Sequence, residues 1–407
     1  MKFILIISIT ILLLAAGCNS GKKESNGIIS PGEVIQIDSL PGQCPYLTKD
    51  AKGNPVLSWV RMADDSTYSF CYAVAKDGKV FSSPTVIPNS SNIQPHGENL
   101  PKIIFKPSGE IMALWGTRST SLKNKYSGMV SYSQSFDDGK TWTLPQPLVA
   151  DTAGYDQRYY DVSLLPDGEI GIIWLDNRKT SEQEGSSLYF ASTEGRNGFR
   201  HERSLAESCC QCCRTDLFVD SKGAIHVLYR GIIQDSIRDM VHAVSIDGGK
   251  TFSSPRRISD DNWVLNACPH TGPAMAENNK GLHFAWFTGG SNKGTYYTRT
   301  SDNGKNFTPR DGISGLGSHP QIAALKNGEL IIVWDESVTV GNNSVKRIGF
   351  QKRTDEGISS EKIFITPETS TASYPVVLPL DGHASVIAYS RKSGDKNYIE
   401  CQVVNIN

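Results

Sequence analysis

Four of the five residues at positions 209–213 are cysteines, a density of thiols that can do chemistry. Thiolate sulfur binds soft or borderline metals such as copper and zinc, and paired thiols can instead form disulfides. Adjacent cysteines bond each other only through a strained ring, so disulfide partners would come from other segments. Three interpretations stay open: disulfides between neighbouring segments, a metal site and a redox-active pair. The residues on which they draw are Cys44, Cys209, Cys210, Cys212, Cys213 and Cys268, with His96, His270 and His319 as further metal ligands.

Arginines form a second group of residues that could do chemistry. The guanidinium is a planar fork of donors that matches a carboxylate, so several arginines on one surface are typical of a site for acidic sugars. Each of these arginines precedes or follows a short apolar segment, and we therefore expect it in a loop on a rigid scaffold. The arginines concerned are Arg118, Arg158, Arg178, Arg214 and Arg230.

An aspartate–glycine turn recurs along the chain and indicates which elements position these residues. The pattern Ser/Thr-x-Asp-x-Gly-x-x-aromatic is present at residues 135–142, 245–252 and 300–307. In such a turn the aspartate accepts backbone N–H groups, the glycine takes a positive φ and the aromatic ring folds back under the turn. The spacing indicates a repeat of about 55 residues, with one copy skipped, which is typical of an array of small sheets.

Each repeat also contains an apolar strand that follows a glycine turn and ends in an aromatic residue. β-Branched and aromatic residues suit a buried strand, and seven copies predict seven four-stranded sheets. The copies are at residues 55–60, 110–115, 169–174, 224–229, 281–286, 329–334 and 384–389.

Closure of the array is expected at the two ends of the chain. The last copy provides three strands before Asn407, and residues 31–37 are expected to supply the fourth. Such a closure removes the exposed edges of an open array. The fold class is therefore all-β, and residues 28–407 are predicted to form one seven-bladed β-propeller, with six blades as the alternative.

The first residues predict export. An apolar run at residues 3–16 is too short to span a bilayer, and the small residues before Cys18 resemble a bacterial lipobox. We expect a signal peptide and lipidation site at residues 1–18 and a polar tether at residues 19–27. The protein would then be a cell-envelope lipoprotein of the outer membrane, facing the periplasm or the exterior and touching the membrane only through its lipid. A net charge of −1 and the lack of a phosphate loop or basic–aromatic stripe give no support to nucleic-acid binding.

In spacing and residue types, the three turns match the Asp box of the sialidase superfamily, and the chain resembles that family over nearly all of residues 28–407. Asp boxes lie at the periphery and report the fold, not the activity. Sialidases usually have six blades, so a count of seven departs from the family. The resemblance implies a propeller that binds an acidic sugar with the loops of one face.

Individual residues extend the resemblance in part. Arg158 and Arg230 are similar in place to two family arginines that hold the sugar carboxylate, and Tyr374, which opens the last repeat, is similar to the family nucleophile. The acid/base residue would be Asp161 or Asp176, with Asp156 as a further alternative.

Arg214 stands where the family has the glutamate that activates the tyrosine. A phenol with a pKa near 10 is a weak nucleophile without such a base, so we expect weak activity or none on simple sialosides.

Three functions remain open. The first is a lipoprotein that binds an acidic glycan, with or without hydrolysing it, and that requires no cofactor. The second is a metal-binding or thiol-redox propeller with copper or zinc, and the third is a non-catalytic glycan- or protein-binding module. Cleavage of uronic acids by β-elimination, as in polysaccharide lyases on seven-bladed propellers, is also compatible with the arginines.

Overall fold

The computed structural model describes most of the chain. Residues 1–28, which include the expected signal peptide, Cys18 and the tether, lie outside the described residues, and so does Cys268. Within the described part, no helix is long and apolar enough to cross a membrane. The described residues are 29–64, 67–119, 127–150, 155–178, 184–265, 267, 269–341 and 343–406.

The described residues form seven antiparallel sheets, or blades. The first two short strands of the described residues belong to the seventh blade. These two strands are β1 (Ile29–Pro31) and β2 (Ile35–Gln36). The first blade contains β3 (Gly42–Lys49), β4 (Pro55–Met62), β5 (Tyr68–Val74) and β6 (Thr85–Val86). The second contains β7 (Lys102–Phe105), β8 (Ile111–Arg118), β9 (Gly128–Ser135) and β10 (Gln146–Pro147). The third contains β11 (Gln157–Leu164), β12 (Ile170–Asp176), β13 (Ser186–Thr193) and β14 (Phe199–Cys209), with a 3-10 turn at Gly195–Asn197.

The later blades repeat this arrangement. The fourth contains β15 (Asp216–Val219), β16 (Ile225–Arg230), β17 (Met240–Ser245) and β18 (Arg256–Arg257). The fifth contains β19 (Ala274–Asn278), β20 (Gly281–Thr288), β21 (Gly294–Thr300) and β22 (Asp311–Ser314). The sixth contains β23 (Gly317–Ala324), β24 (Leu330–Val340), β25 (Asn343–Arg353) and β26 (Ile363–Phe364). The seventh contains β27 (Thr371–Pro379), β28 (Ala384–Ser393) and β29 (Lys396–Ile406), with β1 and β2 paired to β29.

The core lies between the blades. The second strand of every blade is apolar and buried, and its aromatic residue is excluded from solvent, because each sheet covers its faces with its neighbours. The molecule is thus an all-β propeller of seven blades, as predicted, and the alternative of six is wrong. The aromatic residues are Trp59, Trp115, Trp174, Tyr229, Trp286, Trp334 and Tyr389.

The aspartate–glycine turns have the expected hydrogen bonds. Asp137 accepts the backbone N–H of Thr141 at 2.8 Å and its hydroxyl at 2.6 Å, and Gly139 takes a φ of 80°. Asp247 and Asp302 make the equivalent contacts in the fourth and fifth blades. These bonds lower the pKa of the Asp302 carboxyl to about 2.

The N-terminal strands close the ring as predicted. Ile29 pairs with Ile406, and Ile35 pairs with Cys401, so both short strands lie along β29. Asp38, just beyond them, accepts a hydrogen bond from Arg61 of the first blade at 2.6 Å. The start of the chain therefore joins the last blade to the first.

Removal of residues 29–40 should destabilise the propeller. The truncated chain would lose the pairing with β29 and expose its edge, and at about 1 kcal/mol for each lost hydrogen bond the free energy of unfolding should fall by several kcal/mol. The measurement is denaturant unfolding of chains that begin at Ile29 and at Pro41. Equal unfolding midpoints for the two chains would show that the N-terminal strands do not close the ring.

Candidate functional site

Four first strands contain a non-glycine residue of positive φ near their start. Cys44, Tyr159, His319 and Tyr374 have φ values of 61°, 57°, 49° and 53°, and each lies within a register shift between the first and second strands of its blade. His270, just before the first strand of the fifth blade, has a φ of 48°. Such a conformation costs on the order of 1–3 kcal/mol for each residue. Its recurrence at equivalent positions indicates that the backbone is bent to aim these side chains toward the channel.

Four of these residues, Tyr159, His270, His319 and Tyr374, meet His96 at one end of the central channel. The ring of His96, from the loop entering the second blade, lies 5.5 Å from the ring of Tyr159 and 5.6 Å from that of His270. The rings of His319 and Tyr374 are 4.2 Å apart. His270 is exposed, His96 and Tyr374 are partly exposed, and Tyr159 and His319 are buried. We call these five residues the mouth cluster.

Tyr374 is held firmly in place. Its ring lies over Gly97, where a Cβ atom would approach Cε1 to 2.4 Å, so a larger residue at Gly97 would collide with it. Its backbone N–H donates to Oδ2 of Asp335 at 2.9 Å. Burial, together with the carboxylates of Glu98 and Asp335, raises the pKa of Tyr374 to about 12. The phenol is therefore protonated at neutral pH, and the phenolate that a nucleophilic role would need is scarce.

Asp335 contacts two members of the mouth cluster, His319 and Tyr374. Nδ1 of His319 lies 2.7 Å from Oδ2 of Asp335, and Nζ of Lys346 lies 3.2 Å from Oδ1. Burial alone would raise the pKa of Asp335, but these two partners hold it below its ordinary value. Nε2 of His319 faces the carbonyl oxygen of His270 at 3.2 Å. Both ring nitrogens of His319 therefore face oxygen atoms, which fixes the orientation of the ring.

His96 has the opposite character. Burial, with the nearby His270 and Arg158, lowers its pKa below the ordinary value, and its Nδ1 accepts the N–H of Glu98 at 3.2 Å. His96 is therefore a neutral imidazole, and it directly precedes Gly97, over which the protonated Tyr374 lies. Such a pair can take up and donate protons at neutral pH.

A buried ion pair closes the channel beneath the cluster. Glu98 is 1% exposed and accepts hydrogen bonds from Nη1 and the backbone N–H of Arg214, both at 3.2 Å, and from the N–H of Gly272 at 2.6 Å. Arg214 also donates to the carbonyl oxygens of Gly272, Pro273 and Pro320. Arg214, predicted to bind substrate, thus links the second, fourth, fifth and sixth blades. Sequence reasoning missed Glu98, which is the acidic residue of the loop entering the second blade.

Arg158 lies at the edge of the cluster. It forms a two-pronged ion pair with Asp156, with Nε–Oδ1 at 2.5 Å and Nη2–Oδ2 at 2.7 Å. Its guanidinium lies 5.3 Å from the centre of the Tyr159 ring, and its side chain is 22% exposed. Arg158 is therefore a partly exposed cation beside the mouth cluster.

Arg230 lies deeper. It donates to Sγ of Cys213 and to the carbonyl oxygens of Arg238, Thr271 and Phe287, and it is 2% exposed. A substrate carboxylate could reach this guanidinium only if some of these bonds were exchanged.

The other predicted residues lie in two different places. Asp176 is fully buried and accepts from Nε of Arg178 at 2.9 Å at the end of β12, and Arg178 also pairs with Glu202. Burial raises the pKa of Asp176. Arg118 ends β8 and is exposed. Asp176 and Arg178 thus lie at the end of β12, and Arg118 lies at the end of β8.

Asp161 lies inside the channel, in a cavity of about 240 Å³ lined by first strands of all seven blades. It accepts a hydrogen bond from Lys102 at 2.5 Å and from the N–H of Leu217 at 2.7 Å. Burial and Asp161 together raise the pKa of neighbouring Asp216 well above its ordinary value. Arg214 lines the same cavity as Asp161.

The cysteines divide into groups. The Sγ atoms of Cys210, Cys212 and Cys213 all lie within 4.8 Å of one another, whereas Sγ of Cys209 faces carbonyl oxygens of its own strand. Cys44 lies beside His96, and burial raises the pKa of its thiol to about 12. The seven described cysteines are free thiols, and Cys268 lies outside the described residues.

No protein-family model matches the sequence, and no curated protein matches it. Solved structures are similar in fold. A protein of unknown function from Dyadobacter fermentans aligns with a TM-score of 0.56 at 14% identity, over 93% of this chain and 99% of that one. The polysaccharide lyase Uly1 aligns with a TM-score of 0.56 at 11% identity, over 90% of each chain. The Hadza microbial sialidase Hz136 aligns with a TM-score of 0.50 at 14% identity, over 86% of this chain and 76% of that one. The chain thus shares its fold with a sialidase, as the resemblance implied.

Proposed function

We propose that the protein binds an acidic polysaccharide at the mouth cluster and cleaves it by β-elimination beside a uronic acid. The observation that carries the proposal is the convergence of His96, His270 and Tyr374 on one accessible surface. Two imidazoles and a protonated phenol provide a base and an acid without a pair of carboxylates. The likeness in fold to a polysaccharide lyase supports the same choice.

The proposed reaction needs no water. A neutral imidazole of the His96–His270 pair removes the proton from the carbon next to the uronate carboxylate; in His96 the accepting atom is Nδ1, which must first release the N–H of Glu98. The electron pair forms a carbon–carbon double bond, and the bond from the neighbouring carbon to the glycosidic oxygen breaks. Tyr374 gives its proton to that oxygen, and Arg158 stabilises the negative charge that develops on the carboxylate. The products are one chain with a saturated end and one chain that ends in an unsaturated uronate.

Hydrolysis with Tyr374 as nucleophile has less support. It would need the phenolate, which a pKa of about 12 disfavours. It would also need an acid close to the sugar, whereas Asp161 is engaged by Lys102 in the channel and Asp176 by Arg178 at the end of β12. The position of Tyr374 at the start of the last blade still makes sialosides the second substrate class to test.

An assay on a panel of polysaccharides tests the proposal. The full-length protein is incubated with uronate-containing polysaccharides and with sialosides, and ultraviolet absorbance reports the new double bond. We expect unsaturated ends from at least one uronate polymer, and a loss of activity in His96→Gln and His270→Gln. His383→Gln is the matched control, because His383 is exposed in the turn between β27 and β28, at the opposite end of the blade. Release of sialic acid alone would contradict elimination.

The location in the cell is also a proposal. The signal peptide and lipidation site expected at residues 1–18 support an envelope lipoprotein, which would meet extracellular or periplasmic polysaccharides.

The reaction should have an unusual pH dependence. The base must be neutral, and the pKa of His96 is lowered, so kcat/KM should stay high below pH 6.5. The acid must be protonated, and the pKa of Tyr374 is about 12, so no alkaline loss should occur below about pH 10. The measurement is kcat/KM against pH on the best substrate. An alkaline limb near pH 8 would exclude Tyr374 as the acid.

A further inference from the structure

Three buried thiols lie at the turn between the third and fourth blades. Cys210, Cys212 and Cys213 are 2%, 4% and 1% exposed, and their Sγ atoms lie within 4.8 Å of one another. The N–H of Cys210 donates to the carbonyl oxygen of Arg230 at 2.8 Å, which fixes the turn to β16. The proposed elimination uses none of these thiols.

The sulfur spacing fits one shared ion. Sγ of Cys210 and Sγ of Cys212 are 3.8 Å apart. Two sulfurs bound to one ion at about 2.3 Å, with a tetrahedral angle between them, are about 3.8 Å apart. A disulfide would instead bring them to about 2.05 Å. Cys210 and Cys212 are therefore already at the spacing of two ligands of one ion, and Sγ of Cys213 lies within 4.8 Å of both.

A cation lies beside the sulfurs. Nε of Arg230 donates to Sγ of Cys213 at 3.4 Å, and Arg230 is itself held by three carbonyl oxygens. A hydrogen bond from a positioned arginine to a ligating sulfur is the kind of outer contact that stabilises metal–thiolate sites.

We propose that Cys210, Cys212 and Cys213 bind one thiophilic d10 ion, Cu(I) or Zn(II). Three thiolates in a buried setting complete the coordination of Cu(I), whereas Zn(II) would take a fourth ligand as well. Bound there, the ion fixes the turn and, through Arg230, ties it to the carbonyl oxygens of Thr271 and Phe287 in the fifth blade. Cys209 is not a ligand, because its sulfur lies 3.9 Å and 3.8 Å from the carbonyl oxygens of Ala206 and Glu207.

Elemental analysis of the full-length protein, purified without chelators, tests the site. We expect one equivalent of copper or zinc per chain, and the element found distinguishes the two ions. Cys212→Ser should lower the metal content about tenfold or more, whereas Cys209→Ser, the matched control next to the trio, should retain it. If Cys212→Ser does not fold, the metal content and the number of titratable thiols of the wild type show whether the trio binds a metal. Metal-free protein with titratable thiols, or a disulfide between Cys210 and Cys212 in mass spectrometry, would overturn the proposal.

Discussion

Tyr374→Phe should lower kcat for elimination about 10²–10⁴-fold while KM changes little, because general acid catalysis contributes that much. The substitution removes the proton donor and keeps the ring, which still packs over Gly97 and against His319 at 4.2 Å. The measurement is steady-state kinetics on the best uronate polymer, with the melting temperature as a check on folding.

Tyr155→Phe is the control for this variant, since Tyr155 is an exposed tyrosine just before β11. Its kinetics should equal those of the wild type. Full activity in Tyr374→Phe would show that the proton for the leaving oxygen comes from another group.

Arg214→Met should lower the free energy of unfolding by about 3–5 kcal/mol, the typical cost of removing one partner of a buried ion pair. The substitution leaves the Glu98 carboxylate buried without its cation and removes the donor shared by the carbonyl oxygens of Gly272, Pro273 and Pro320. Because these contacts join four blades, the loss should affect the whole ring. Denaturant unfolding of the two proteins measures the effect.

Two further variants isolate the cause. Glu98→Gln combined with Arg214→Met should recover part of the lost stability, because the unpaired charge is gone. Arg256→Met, at an exposed arginine of β18, should change stability by less than about 0.5 kcal/mol. An effect of Arg214→Met no larger than that of Arg256→Met would show that the ion pair does not brace the channel.

The fold could be predicted from the sequence because its signals are local. Each second strand is marked by an apolar run and an aromatic residue such as Trp115 or Trp334, and a glycine turn precedes it. The ends of strands were less predictable. The hairpin of β24 and β25 extends to Val340, well past the predicted end at residue 334, because cross-strand pairing continues after the apolar pattern stops.

The site was predictable in part. The entering loops could be identified from the repeat, but residue type does not tell whether an arginine faces a ligand or a carbonyl oxygen. Arg230 donates to Thr271 and Phe287, which lie 41 and 57 residues further along the chain. Such partners depend on how loops of neighbouring blades pack, and no local pattern records that packing.

The cysteines show the same limit at shorter range. Cys209 and Cys210 are adjacent, yet only Cys210 joins the trio, because Cys209 ends β14 with its sulfur facing carbonyl oxygens of that strand, whereas Cys210 begins the turn. Six cysteines were predicted to lie near one another from the loops that contain them. The structure places the sulfurs of three of them within 4.8 Å of one another.

Product analysis tests the central proposal most directly. A uronate polysaccharide is incubated with the full-length protein, and the fragments are examined by mass spectrometry and by NMR of the new chain ends. Elimination predicts fragments whose masses sum to that of the substrate, with a vinyl proton on one end. Fragments heavier by one water in total, without a vinyl proton, would show hydrolysis and contradict the proposed reaction.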